Sequence, residues 1–383
     1  MIPHTTLTVS GERFRATYVL TGPTDLARTR AEGICVEQTI EFPADLVADD
    51  DIRRHVIGRV EALEVTGPET AVATISYAVE TTGWELGQLL NVLFGNCSIY
   101  PGVRLTGLEL SPSLLRAFPG PRFGVPGMRR LTGAHDRPLL ATALKPMGMG
   151  PELMAEIAAT MARTGIDVIK DDHGLANQPF APWEDRVRAC AAAVTRANEE
   201  TGRHALYMPS LNGPVSEFHE RARIAKDAGA GGLLVLPGLT GMDSIRWLAA
   251  DDAIGLPIMG HPAYLGANVT SPVAGIEHGV LFGTLYRLAG ADLTVFPSYG
   301  GRFSFTPGEC AAIADACRRP MGDFPPILPT PGGGMTLGRV REIHEFYGPD
   351  TALLVGGDLH RGDLATNIEA MRAVIEGVEP APA

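Results

Sequence analysis

The chain has 383 residues, of which 45% are hydrophobic and 20% charged, with 32 Lys and Arg against 44 Asp and Glu and a formal charge of −12. This is ordinary globular usage and excludes extensive disorder. The negative balance excludes a general nucleic-acid or anionic-membrane binder, so neither partner is expected. At roughly 150 residues per domain, the length suggests two domains. Cys35, Cys97, Cys190, Cys310 and Cys317 are odd in number and show no CxxC spacing. Together with an N-terminus unlike a signal peptide and the lack of any apolar run of about 20 residues, they predict a cytoplasmic chain with free thiols.

In chain order, RFRATYVLTG, GICVEQTIEFP and AVATISYAVE read as alternating strands, separated by a helix-like run at PTDLARTRAE. They predict a small α+β domain over residues 1–125. SPSLLRAFPGPRFGVPGMRRLTG, rich in Pro and Gly, reads as the connection to a second domain over 126–383.

From about residue 139 the pattern changes. Short apolar runs (LLATALKP, GIDVIKDD, HALYMPS, GGLLVLP, LPIMGHP, GADLTVFPS, PPILPTPGGG and TALLVGGD) alternate with amphipathic stretches such as PELMAEIAATMARTG and PWEDRVRACAAAVTRANEETG. Strand–helix alternation means parallel pairing, and near-continuous apolar strands are those buried on both faces. Eight such units over about 250 residues fit a (β/α)8 barrel, with a doubly wound sheet as the alternative.

Barrel enzymes carry their chemistry at the C-terminal ends of the strands. Strand one ends in Lys145, strand two in Lys170, Asp171, Asp172 and His173, strand five in His261, and strand six in Ser298 with Arg302 just beyond. Strand alternation puts Lys170 and Asp172 on one face and Asp171 on the other. A lysine and a carboxylate at a barrel mouth can form an ion pair, a Schiff-base site or, if the lysine adds carbon dioxide, a carbamate ligand for Mg2+ beside Asp172. A charged strand end facing solvent is the plain alternative. The runs Gly332, Gly333, Gly334 and Gly356, Gly357 after strands seven and eight suggest a phosphate held by backbone N–H groups, although ordinary turns also use such runs.

These residues resemble ribulose-bisphosphate carboxylase. GIDVIKDDHGLANQPFAPWEDRV looks like the family's metal–lysine segment, and the likeness extends through LLNVLFGNCSI, FPGPRFGVPGMRRL, LLATALKP, PIMGHPA, GADLTVFPSYG and VGGD in the family's order. Several of these resemble its non-carboxylating branch, the RuBisCO-like proteins. The resemblance implies an N-terminal ferredoxin-like α+β domain, a C-terminal barrel and a homodimer whose active sites are shared between subunits. It makes Lys170 the carbamylation position, Asp172 and His173 metal-site residues, Lys145 and His261 catalytic, and Asn96 the N-terminal-domain residue that reaches the substrate. Gly334, Gly356 and Gly357 match a phosphate site, to which the strand-end positions of Gly333, Ser298 and Arg302 add candidate substrate or phosphate contacts; Arg302 falls near the position of the family's mobile-loop lysine. His173 stands where the family has a glutamate, which weakens the expected Mg2+ site; Met147 and Pro262 replace a lysine and an arginine.

Carboxylation of a bisphosphate is therefore not expected. What the resemblance leaves is enolate formation on a phosphorylated small molecule. The expected outcome is decarboxylation or C–C cleavage of a 3-oxo sugar-acid phosphate. The alternatives are an enolase or isomerase of methylthio-sugar phosphates and a non-catalytic binding protein.

Overall fold

The computed structural model describes residues 7–377. They fall into two compact units: the chain up to Phe118 together with Leu265–Thr284, and Pro119–Tyr264 together with the chain from Leu285 onward. The expected boundary at 125/126 lies inside the second unit, within the helix Gly124–Thr132.

Counting strands along the chain, the first unit contains β1 (Arg13–Thr21), β2 (Arg59–Gly67), β3 (Thr70–Ala78), β4 (Val103–Glu109) and the two-residue β10 (Gly275–Ile276). The sheet order is β10-β4-β1-β3-β2. Helices Ala27–Glu37 and Leu86–Phe94 make the β1–β4 part a βαββαβ ferredoxin-like unit. β1 buries Phe14, Ala16, Tyr18 and Leu20, and β3 buries Ala71, Ala73, Ile75 and Tyr77, the period-2 pattern of half-buried strands.

GICVEQTIEFP is not a strand. Its first residues end the helix Ala27–Glu37, whose buried Ala27, Ala31, Ile34 and Cys35 fall at offsets of four, seven and eight, a single helical face. The true second strand, β2, is a mostly exposed edge strand with little apolar alternation to reveal it.

The second unit holds β5 (Leu139–Leu144), β6 (Val168–Asp171), β7 (Leu206–Met208), β8 (Leu233–Val235), β9 (Ile258–Gly260), β11 (Leu293–Pro297), β12 (Leu328–Gly332) and β13 (Ala352–Val355). These are the eight predicted strands. They form two parallel arcs, β13-β5-β6-β7 and β12-β11-β9-β8. The arcs join where Leu234 N–H donates to Pro209 O at 2.9 Å, and they meet again where Gly332 lies against Leu354.

Inward-facing Leu139, Ala141, Val168, Met208, Leu234, Met259, Leu293, Val295, Leu328, Ala352 and Leu354 share one core with Val125 and Met128 of the helix Gly124–Thr132. The segment expected to be only a connection thus closes the N-terminal end of the barrel. Asp292 fixes it there: its carboxylate accepts the N–H groups of Phe123 and Gly124 (both 2.7 Å) and of Ile258 (2.9 Å).

Candidate active site

Inward parity places the chemistry. On β5, residues 139, 141 and 143 face the barrel interior, so Lys145 continues that face at the mouth; on β6, Val168 sets the same face for Lys170 and Asp172. Lys145 Nζ donates to Asp172 Oδ1 at 2.7 Å, and His173 Nδ1 lies 3.3 Å from the same oxygen. The His173 ring stacks on that of His261, with centroids 4.9 Å apart and planes within 10°. Five predicted residues, Lys145, Lys170, Asp172, His173 and His261, therefore form one cluster at the C-terminal ends of β5, β6 and β9.

Their electrostatics follow from burial. Burial pushes the Lys170 pKa down from 10.5 to about 8, and Lys145 adds to this, while Asp172 and Asp171 oppose it. Only 2% of Lys170 is exposed, and its Nζ donates to Asp171 O at 3.0 Å. Burial raises the Asp172 pKa, but hydrogen bonds from His173 and Lys145 and the charges of both lysines outweigh it and hold the carboxyl well below its ordinary range. Burial, together with the charges of Lys170 and His173, keeps His261 well below its ordinary value and so neutral. His261 Nδ1 accepts the Ala263 N–H at 3.2 Å, which assigns the proton to Nε2.

Asp171 faces the other way. It is fully buried and is held by Arg186 (3.2 Å), the Tyr207 hydroxyl (2.8 Å) and the Ser210 N–H (3.0 Å). Arg186 and Tyr207 were not singled out from the sequence. Their signal was the outward parity of Asp171, which demands a buried partner.

The loop glycines divide into two kinds. Gly333 and Gly334 have φ of +80° and +111°, and a Cβ on Gly334 would stand 2.6 Å from Gly301 Cα, so the loops after β11 and β12 pack backbone to backbone. A Cβ on Gly356 or Gly357 would meet nothing within 4 Å. Arg302 is exposed, with its guanidinium carbon 5.0 Å from the Phe303 ring centroid. Ser298 does not join the cluster. Residues 293 and 295 face inward, so 298 faces outward, and its buried hydroxyl lies 3.2 Å from the Tyr347 hydroxyl. Asn96 is exposed on the first unit, where its Nδ2 donates to Glu37 Oε1 at 2.9 Å.

As a metal centre, Lys170, Asp172 and His173 offer an amine, one carboxylate already paired to Lys145, and an imidazole. Mg2+ prefers an octahedron of oxygens, and among the described residues no group of three His, Cys, Asp or Glu converges. These residues as they stand do not fit Mg2+. No helix among the described residues is long and apolar enough to cross a membrane.

Residues 124–302 match the family model of the ribulose bisphosphate carboxylase large chain, catalytic domain. The chain is 42% identical over 349 residues to ribulose bisphosphate carboxylase-like protein 1 of Rhodopseudomonas palustris, covering 91% of this chain and 93% of that one. It is 38% identical to the 5-methylthioribulose-1-phosphate isomerase of Rhodospirillum rubrum, covering 91% of each. It is 36% identical to the 2,3-diketo-5-methylthiopentyl-1-phosphate enolase of Bacillus licheniformis, covering 95% of this chain and 91% of that one. The crystal structure of a RuBisCO-like protein from Rhodopseudomonas palustris superposes with a TM-score of 0.86 at 37% identity, over 97% of this chain and 99% of that one. These relatives overturn the expectation of a decarboxylase or C–C-cleaving lyase. The named activities are an isomerase and an enolase, both acting on methylthio-sugar phosphates, the outcome held as the alternative.

Proposed function

Because this chain belongs to the ribulose-bisphosphate carboxylase large-chain family, among its RuBisCO-like members, we propose that it catalyses proton transfer beside the carbonyl of a five-carbon methylthio-sugar phosphate. That step is common to the isomerase and enolase relatives. The observation that carries the reading is the cluster itself: an ammonium fixed on a carboxylate at 2.7 Å, beside a buried amine with a pKa of about 8 and a neutral imidazole carrying its proton on Nε2.

Each group has a role in this chemistry. Proton abstraction is most efficient when the base has a pKa near the working pH, and Lys170 meets that condition as its free amine. The Lys145 ammonium and the His261 Nε2–H are donors for the oxygen on which negative charge develops. Asp172 orients Lys145 and balances the two lysines. A carbamate on Lys170 would turn the same position into an oxygen ligand, with the free amine as the form that adds carbon dioxide. No step here depends on it, nor on Mg2+. The Gly356–Gly357 backbone, open on its exposed side, is the proposed seat of the phosphate, with Gly333, Gly334 and Arg302 on neighbouring loops.

The family's homodimer enters the proposal through exposed apolar side chains. Met147, Phe180, Val215, Leu239, Tyr264, Phe303 and Leu337 each stand in a different segment that follows a barrel strand, Val215, Leu239 and Leu337 on short helices there, the kind of surface that another chain covers. A second copy, bringing Asn96 to the partner's cluster, is the proposed cover. Five buried cysteines, all thiols, are in keeping with a reducing compartment.

The test incubates the protein with 5-methylthioribulose 1-phosphate and with 2,3-diketo-5-methylthiopentyl 1-phosphate in deuterium oxide, followed by proton NMR. Deuterium at the carbon next to the carbonyl is expected with one of them, and the product identifies isomerase or enolase. Absence of exchange into both, with a folded protein, refutes the reading.

A further inference from the structure

Two residues beyond Lys145, the loop after β5 sets a large apolar side chain beside the charged cluster. Met147 is 48% exposed, and its tip rests over the loop after β6: a Cβ built on Gly174 would stand 2.8 Å from Met147 Cε and 3.9 Å from Asp172 Oδ2. The thioether methyl and the Asp172 carboxylate therefore flank the same glycine. Gly174 has no positive φ, so its conformation does not call for glycine; the space that Met147 occupies does. This floor is fixed in place. Gly174 O accepts from Gln178 Nε2 at 2.8 Å, Gln178 Oε1 accepts the Ala176 N–H at 2.9 Å, and Leu175 N–H donates to Asp172 O at 3.0 Å. A half-exposed thioether on a fixed glycine floor is thus an apolar contact at a mouth otherwise lined by lysines, a carboxylate and imidazoles.

We propose that Met147 is a specificity-determining residue, its thioether packing against the substrate's methylthio group at the end of the chain farthest from the phosphate. This rests on the proton-transfer reading above and on its phosphate seat. β13, β5 and β6 are consecutive neighbours in one arc, with Val355 beside Thr142 and Leu144 beside Asp171. Gly356–Gly357 after β13 and Gly174 after β6 therefore lie on opposite sides of Lys145. At about 4.8 Å between strands, the two spacings come to about 10 Å. In 5-methylthioribulose 1-phosphate seven bonds join phosphorus to sulfur; at roughly 3.5 Å for three extended bonds they span about 8 Å, and the terminal methyl reaches the rest. With the phosphate at Gly356–Gly357, the carbonyl end of the sugar falls near Lys145 and the methylthio group meets Met147. A hydroxyl in place of that group finds only a thioether, a weak acceptor, so the site selects for sulfur and against oxygen at this carbon.

The experiment compares 5-methylthioribulose 1-phosphate with ribulose 1-phosphate, which differ only at C5. Calorimetric titration of the native protein should show the methylthio sugar bound about tenfold tighter, the scale of burying two methylene-sized groups. Met147→Ser, at an exposed position that leaves the fold intact, should bring the two affinities within about threefold by weakening the methylthio sugar alone, and Met147→Leu should keep most of the preference. Gly174→Ala, whose methyl displaces the flexible tip of Met147, should fall between them. In protein carrying 13C-methyl methionine, the Met147 signal, assigned by its absence in Met147→Leu, should shift with the methylthio sugar and not with inorganic phosphate. Equal affinities in the native protein, a preference that Met147→Ser retains, or a Met147 signal that stays put at saturation with the methylthio sugar overturns the proposal. A preference lost in Met147→Ser, in a protein that exchanges no deuterium into either methylthio compound, supports the Met147 contact while refuting the proton-transfer reading.

Discussion

Replacing Lys170 with methionine should make the protein more stable and inactive at once. The folded chain holds Lys170 at a pKa of about 8 against 10.5 for an unburied lysine. At about 1.4 kcal/mol per pH unit, carrying the ammonium in the barrel costs roughly 3 kcal/mol at pH 7. The pKa is depressed on folding, so the penalty is complete below pH 8, shrinks as the solution rises from 8 toward 10.5, and is gone above that. Lys170→Met has similar length, gives up the hydrogen bond to Asp171 O, and removes the penalty, in which the attraction of Asp172 and Asp171 for the ammonium is already counted. Its stability gain should therefore be about 2–3 kcal/mol at pH 7, after roughly 1 kcal/mol for the lost hydrogen bond, and less than half of that by pH 9.5. For a barrel of this size, this is roughly 5 °C in Tm. Urea unfolding of both proteins at the two pH values, in carbon-dioxide-depleted buffer that keeps the amine unmodified, measures it, with deuterium exchange as the activity readout. A variant less stable than native at pH 7, or equally stabilised at both pH values, would refute the argument that burial of the charge sets the amine's state.

Four other substitutions separate chemistry from scaffold. Asp172→Asn keeps the shape but leaves Lys145 and Lys170 without the anion between them; exchange should fall about a hundredfold, and the acidic limb of its pH profile should move lower because Lys170 loses the charge that holds its pKa up. A rate within threefold of native removes Asp172 from the mechanism. Gly356→Ala places a methyl in open space, so Tm should hold while KM for the phosphorylated substrate rises about tenfold; Gly334→Ala, at φ +111° with backbone 2.6 Å away, should instead lose about 2 kcal/mol of stability. Arg186→Leu strands the Asp171 carboxylate in the interior and should cost about 3–5 kcal/mol in guanidinium unfolding.

The eight barrel strands were legible because each is buried on both faces and reads as an unbroken apolar run. The same period of two that built them also places the site: from Val168 inward, Lys170 and Asp172 follow, and from Met259, His261 follows. Ser298 shows the rule working against a residue picked for its position at a strand end. Counting from the inward Val295 already turns its hydroxyl outward, to Tyr347. Non-local pairing left no such trace. Residues 265–284 join the first unit through two residues of β10 on β4, and nothing in GIEHG announces a strand whose partner lies about 170 positions earlier.

The mistaken lyase expectation has a physical origin. His173 in place of a glutamate weakens the expected Mg2+ site, and an expectation built on that loss leaves the basicity of the lysines out of account. The folded barrel supplies it. Asp171 and Asp172 are neighbours in sequence with opposite duties: the first is locked by Arg186, Tyr207 and Ser210, and the second holds Lys145. The locked residue fixes β6, and with it the depth at which Lys170 sits. That depth lowers the lysine's pKa into the range where an amine is both present as free base and strong enough to remove a proton. On the proposed reading, basicity at this mouth is a property of burial, which no inspection of ligand identities reveals, and enolisation does not require the glutamate.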